Sequence, residues 1–237
     1  MSTHYDAQYY RDNGQDTDRP ALGLYTRLVR RYGAGGPYLD FGCGTGHLLA
    51  RLAALGPAEG FEISEYSAAT ARAVSGRPVA TAMEDLADAS IGTLTAIHVL
   101  EHLDDATAAE VLATWRRVLV PGGRALVVMP DPAGRARALA GEGWNGFADP
   151  THINLKPHAQ WRAFLTRQGF TAVVEGSDGL WNVPYSRLPR HLDALRHAVP
   201  ALVQFLLGRL FLRPGSGESS VFVLRKDGGP ASPDREG

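Results

Sequence analysis

Short apolar runs alternate with amphipathic runs along most of the chain, the pattern of βαβ units laid on a parallel sheet. The spacing predicts helix Pro20–Tyr32, strand Tyr38–Phe41, helix His47–Leu55, strand Glu59–Ile63 and helix Glu65–Val74. Strands Val79–Ala82 and Thr93–Val99, helix Ala106–Leu119 and strand Arg124–Met129 follow, with Pro121-Gly122-Gly123 read as the stop of the helix before it. The alternation then breaks. Residues 131–150 are rich in Gly, Ala and Pro and carry Trp144 and Phe147, a length that fits either a functional cap or a disordered loop. Helix His158–Gln168 and strand Phe170–Glu175 resume the pattern. A second insertion with an apolar helical stretch runs from about Pro184 to Gly217, and strand Ser220–Leu224 closes the fold.

The chain reads as one domain: 1–35 an N-terminal flap and helix, 131–155 and 184–217 insertions, 228–237 a frayed tail. A hydrophobic content of 44% supports one sizeable core, and a net charge of -1 gives no basic field for a nucleic acid. The lone cysteine, Cys43, has no internal disulfide partner. Met1–Gly14 lacks the apolar run of a signal peptide. The most apolar stretch, Ala198–Leu212, carries Gln204 and Arg209 and is too short to span a bilayer. A cytoplasmic protein without a transmembrane segment is expected. The histidines are scattered, with no His/Asp/Glu set at ligand spacing, so no metal is expected.

The chemistry begins where the first strand runs into Leu39-Asp40-Phe41-Gly42-Cys43-Gly44-Thr45-Gly46 and a helix follows at once. Glycines 42, 44 and 46 permit a tight turn that brings backbone close to a ligand, at the positive end of the next helix. A plain tight turn has the same requirement. The dinucleotide fingerprint G-x-G-x-x-G fails, since His47 stands where its third glycine would be. Glu62, at the tip of the second strand, is placed to accept hydrogen bonds from ribose hydroxyls.

Two further segments, Ile97-His98-Val99-Leu100-Glu101-His102-Leu103 and Trp115-Arg116-Arg117-Val118-Leu119-Val120-Pro121-Gly122-Gly123, follow in order. With the glycine turn, they resemble the class I methyltransferases that use S-adenosylmethionine. The nearest likeness is to the small-molecule branch that includes ubiquinone-type, natural-product and sugar methyltransferases, over roughly residues 36 to 175. The resemblance implies a Rossmann-like, doubly wound α/β fold with a seven-stranded sheet, its last strand antiparallel, and insertions after strands 5 and 6. It implies S-adenosylmethionine as cofactor, with Asp40, Gly42, Cys43, Gly44 and Gly46 around the methionyl part and Glu62 at the ribose. Phe61 or Ile63 would pack near the adenine, with Met83 against the ring. Ala82 stands where many relatives carry an acidic residue, leaving Glu84 or Asp85 to meet the adenine amino group. His98 would lie beside the methionyl portion, and Glu101-His102 would be structural hydrogen-bonding groups.

On the acceptor side, Asp149-Pro150-Thr151-His152-Ile153-Asn154 resembles segments at the acceptor mouth of these enzymes. His152 is read as general base or acceptor-orienting group, with Asp149 to orient it; a loop anchor is the competing reading. Trp144, Phe147, Trp181 and Tyr185 are candidate pocket walls. Tyr5, Tyr9 and Tyr10 fit a flap or a disordered leader. The 184–217 insertion fits a lid, a homodimer contact or a lipid-facing surface. The implied activity is methylation of oxygen or nitrogen on a small metabolite; a cofactor-binding scaffold or a nicotinamide oxidoreductase are the alternatives.

Overall fold

Pro20 opens the first helix, where its fixed φ and missing N–H cost nothing. This helix, α1 (Pro20–Tyr32), buries Leu22, Leu24, Tyr25, Leu28 and Val29 and sets Arg30 and Arg31 at its negative end. A computed structural model describes residues 17–228 apart from 183 and 188. Tyr5, Tyr9, Tyr10 and nearly all of the expected tail lie outside the described residues. Strand β1 (Tyr38–Phe41) leads through the glycine turn into α2 (His47–Ala53). Then come β2 (Ala58–Phe61), α3 (Glu65–Ser75), the two-residue β3 (Val79–Ala80) and β4 (Ile91–Ile97). Helix α4 (Asp105–Val118) is capped by Asp104, whose carboxylate accepts from Thr107 N at 2.8 Å. Beyond it lie β5 (Leu119–Pro130), short helices α5 (Arg135–Ala140) and α6 (Asn145–Ala148), and α7 (His158–Arg167). Strand β6 (Phe170–Ser177), helices α8 (Arg190–His197) and α9 (Val199–Leu207), and β7 (Ser219–Lys226) complete the chain.

The sheet has seven strands in the order β3-β2-β1-β4-β5-β7-β6. Strands β1 to β5 are parallel, and β7 inserts antiparallel between β5 and β6. One face packs Leu39, Phe41, Leu94, Trp115, Val127 and Trp161; the other packs Leu24, Leu28, Leu52, Leu126, Val128 and Val221. The chain order reverses between β1 and β4, opening a crevice at the carboxyl ends of those strands.

One expectation needs correction, and one pair of alternatives is narrowed. Pro121-Gly122-Gly123 does not stop α4, which ends at Val118. Leu119 already pairs with Ile91, and the three residues form the irregular start of β5 beside a register shift at Ile91/Thr93. Residues 131–150 are neither a bare loop nor structureless, because Trp144 is buried with Ala136 and Leu180 and folds the segment into short helical turns.

The second insertion folds as α8 and α9, anchored by fully buried Gln204. Its Nε2 donates to the carbonyls of Ser177 (3.0 Å) and Asp178 (3.2 Å), and its Oε1 accepts from Phe211 N and Leu212 N. Gln204→Leu keeps the volume but removes all four bonds, taking the acceptor from Phe211 N and Leu212 N while Asp178 O keeps Trp181 Nε1 at 3.1 Å. It is expected to cost about 2–4 kcal/mol, read as a lower urea midpoint at unchanged slope. Among the described residues, no helix is long and apolar enough to cross a membrane.

Candidate functional site

The glycine turn is held against β2. Gly42 N and Cys43 N both donate to Phe61 O, at 2.8 and 3.0 Å. Gly42, Gly44 and Gly46 all have positive φ, at 71°, 52° and 86°. At Gly46 a Cβ would stand 2.7 Å from Ala71 Cα, so the glycine also lets α2 lie on α3. Cys43 turns its side chain inward beside Leu49, Ala68 and Val79, so only its backbone is left to face a ligand.

Glu62 is buried, and its two oxygens are divided between backbone donors. Oε2 accepts from Gly44 N at 3.0 Å and Oε1 from Ser64 N at 2.9 Å. Burial pushes its carboxyl upward against those hydrogen bonds. Asp40, at the end of β1, accepts from Thr95 Oγ1 at 2.7 Å. Burial, reinforced by the nearby Glu62 charge, raises its pKa to about 7. Together with Gly42, Cys43, Gly44, Thr45 and Arg19, Asp40 lines a cavity at this corner. Among the described residues, Arg19 Nε is buried without a hydrogen-bond partner.

Around the outer part of the crevice, Phe61 goes to the core, stacked on Phe41 at 4.4 Å between centroids, whereas Ile63 is 55% exposed. Met83 is half-buried and Glu84 exposed in the turn after β3, which Arg117 pins by donating to Met83 O at 2.7 Å.

Next to this corner lies a cavity of about 350 Å³. Trp144, Asp149, His152 and Trp181, read from the sequence as acceptor-side residues, line it together with His98, expected beside the methionyl portion. Phe147 packs edge-on against Trp144 and remains largely exposed, while Tyr185 lines a smaller adjoining cavity. His98 sits at a positive φ of 58° after β4, and its Nδ1 meets Glu101 Oε1 at 3.0 Å. Burial pushes the fully buried Glu101 upward, but the hydrogen bond and charge of His98 outweigh it and leave the carboxyl below its usual range.

The 149–154 segment is clipped to the turn after β4. Asn154 N donates to Glu101 O at 2.9 Å, and Asn154 Nδ2 donates to Leu103 O at 2.7 Å. The Thr151 hydroxyl donates to Asp149 Oδ1 at 2.5 Å and so accepts from His102 Nδ1 at 2.9 Å. His152 Nδ1 lies 2.8 Å from Gly146 O; a carbonyl only accepts, so this nitrogen carries the proton and Nε2 the lone pair. His152 N donates to Asp149 O at 3.2 Å, but between the side chains Nε2 and Oδ2 stand 3.9 Å apart, beyond hydrogen-bond length, so Gly146 rather than the Asp149 carboxylate orients the ring. Glu101 and His102, neighbours in sequence, and the distant His152 converge in space, each offering one ligating atom within 4.8 Å of the others.

Four polar groups escaped the sequence reading: Arg19, Tyr25, Asp178 and Glu218, all in the wall of the larger cavity. Tyr25 OH donates to Asp178 Oδ2 at 2.9 Å, and Ser219 N to Asp178 Oδ1 at 2.9 Å. Burial, with the neighbouring Glu218 charge, raises Asp178 to about 7. Glu218 accepts from Trp181 N, Asn182 N, Asn182 Nδ2 and Tyr185 OH. A usable signal was present: Asp178 directly follows β6 and Glu218 directly precedes antiparallel β7, so both fall at the sheet edge where the parallel strands end.

The profile of a family described as a methyltransferase domain matches residues 14–175. A methyltransferase structure from Archaeoglobus fulgidus, described as SAM dependent, aligns at 17% identity, covering 93% of this chain and 100% of that one, with a TM-score of 0.62. An S-adenosylmethionine-dependent methyltransferase from Mesorhizobium loti aligns at 17% identity over 87% of this chain and 98% of its own, TM-score 0.57. A SAM-dependent methyltransferase from Thermotoga maritima gives 18%, 93%, 94% and 0.61 for the same quantities. No curated protein matches the sequence.

Proposed function

The chain belongs to the methyltransferase-domain family, and from that membership we propose that it moves a methyl group from S-adenosylmethionine to a small molecule. One observation carries the reading. Arg19 and Leu22 line both the glycine-turn cavity and the 350 Å³ cavity, so a donor corner and an acceptor-sized chamber share a wall. The donor fits the residues present: an unpartnered buried guanidinium N–H suits its carboxylate, and a buried carboxyl held near neutrality suits its ammonium.

In this reading the backbone of Gly42, Cys43, Gly44 and Gly46 and the Asp40 and Arg19 side chains hold the methionyl end. Glu62 keeps lone pairs for the ribose beyond its two backbone bonds. Ile63 and Met83 flank the adenine, Glu84 lies at its amino edge, and His98 stands beside the methionyl group. The bound donor supplies a methyl carbon on a sulfonium. What remains for the protein is alignment and proton removal. His152, which lines the chamber and keeps its lone pair on Nε2, takes the acceptor's proton; Gly146 holds the ring and Asp149, through Thr151, holds the loop.

The test is calorimetric titration with S-adenosylhomocysteine between pH 6 and 8, followed by methyl-transfer assays. Asp40 must be ionised to pair with an ammonium, and its carboxyl titrates at about 7. Affinity is therefore expected to fall towards tenfold per pH unit below 7 and level off above it. Asp40→Asn should flatten that dependence. Failure to bind S-adenosylhomocysteine at pH 8 would refute the proposal.

A further inference from the structure

We propose that the chamber accepts an amine, so that the methylated atom is nitrogen rather than oxygen. This deepens the methyltransferase reading and rests on it, but the supporting observation is separate: the fixed charge of the chamber wall. Among the described lining residues, Asp149, Asp178 and Glu218 are carboxylates, and Arg19 is the single guanidinium. Arg19 interacts with Glu218 and also borders the glycine-turn cavity, where the proposed donor's carboxylate would share its charge; one guanidinium stands against three carboxyl groups. The chamber itself is thus left acidic.

The carboxylates are fixed by neutral donors. Tyr25 OH and Ser219 N hold Asp178, while Trp181 N, the Asn182 amides and Tyr185 OH hold Glu218. Such donors set position without cancelling charge. Burial and the nearby Glu218 charge hold the Asp178 carboxyl up to about 7, so a cation entering the chamber draws Asp178 into its ionised form beside Glu218. Trp144 and Trp181 add aromatic surface on which an alkylammonium is stabilised.

The direction of charge movement separates the two nucleophiles. A phenol or enol reacts through its oxyanion, which would place further negative charge against three carboxylates. An amine enters as the ammonium and passes one proton to His152 Nε2. Its nitrogen lone pair then forms the N–C bond while the C–S bonding pair goes to sulfur. Positive charge leaves the sulfur and appears on nitrogen, where the carboxylates face it. The wall therefore favours the transition state for nitrogen and opposes that for oxygen.

The experiment compares matched pairs on the full-length protein by calorimetry: 2-phenylethylamine against 2-phenylethanol, and tryptamine against tryptophol. Each is titrated with and without saturating S-adenosylhomocysteine. At least about tenfold tighter binding of the amines is expected, with the gap closing in Asp178→Asn and Glu218→Gln. Circular dichroism and melting curves check that both variants fold, and the wild-type comparison stands without them. Equal binding, preference for the alcohols, or no binding of either amine would overturn the inference. If amine preference persists while S-adenosylhomocysteine fails to bind, the donor reading falls and the charge argument survives.

Discussion

His152→Ala is expected to lower kcat by about 10²–10⁴-fold, the usual contribution of a positioned general base, while affinity for S-adenosylhomocysteine stays within about twofold. The imidazole lines the acceptor chamber and is not among the residues around the glycine turn. Its Nδ1 proton is committed to Gly146 O, which fixes the tautomer that can accept a proton. The competing role, a loop anchor, makes a different prediction. His152→Asn can still donate to a backbone carbonyl, so an anchor would be rescued by it and a base would not. A substitution that leaves kcat intact with the true acceptor would end the base assignment. The measurement is steady-state turnover with calorimetric affinity on the same preparations.

Glu62→Ala is expected to have the largest effect on donor binding, a loss of about 100-fold or more in affinity for S-adenosylhomocysteine. The side chain ties Gly44 N to Ser64 N, so its loss frees the middle of the glycine turn as well as removing a ribose acceptor. Two backbone donors in a part-buried site lose their partner, at about 1–3 kcal/mol each. Melting temperature should therefore fall along with affinity. Glu62→Gln separates these effects: its single carbonyl oxygen can serve one backbone N–H and not both. Intermediate affinity is expected for Gln, and wild-type affinity for either variant would remove Glu62 from the site.

The donor corner was legible in the sequence because its requirements are local. Glycines 42, 44 and 46 sit at positive φ within five residues, and the carboxylate they need lies one strand on. Strands and helices from Pro20 to Val118 fall within a few residues of the expected bounds, since the helices bury one periodic face and the central strands are short runs buried on both faces. The acceptor chamber was only half visible. Trp144 and His152 stood out as chemistry-bearing residues in an insertion, but the Tyr25–Asp178 hydrogen bond joins positions 153 apart. No periodic pattern encodes that. Asp149 was assigned to His152 on proximity in sequence, whereas the chain turns so that the Gly146 carbonyl reaches the ring first. Pro121-Gly122-Gly123 looked like a helix stop because local breakers cannot reveal that Leu119 is already paired across to Ile91.

The insertion of β7 between β5 and β6 has a consequence for biogenesis. Donor-side residues are all in place once the first four strands have formed, but Glu218 and Ser219 reach the chamber only when the last strand slots into the sheet. On the proposed assignment, a nascent chain emerging from the ribosome would therefore complete its donor-side residues well before the wall that selects its acceptor.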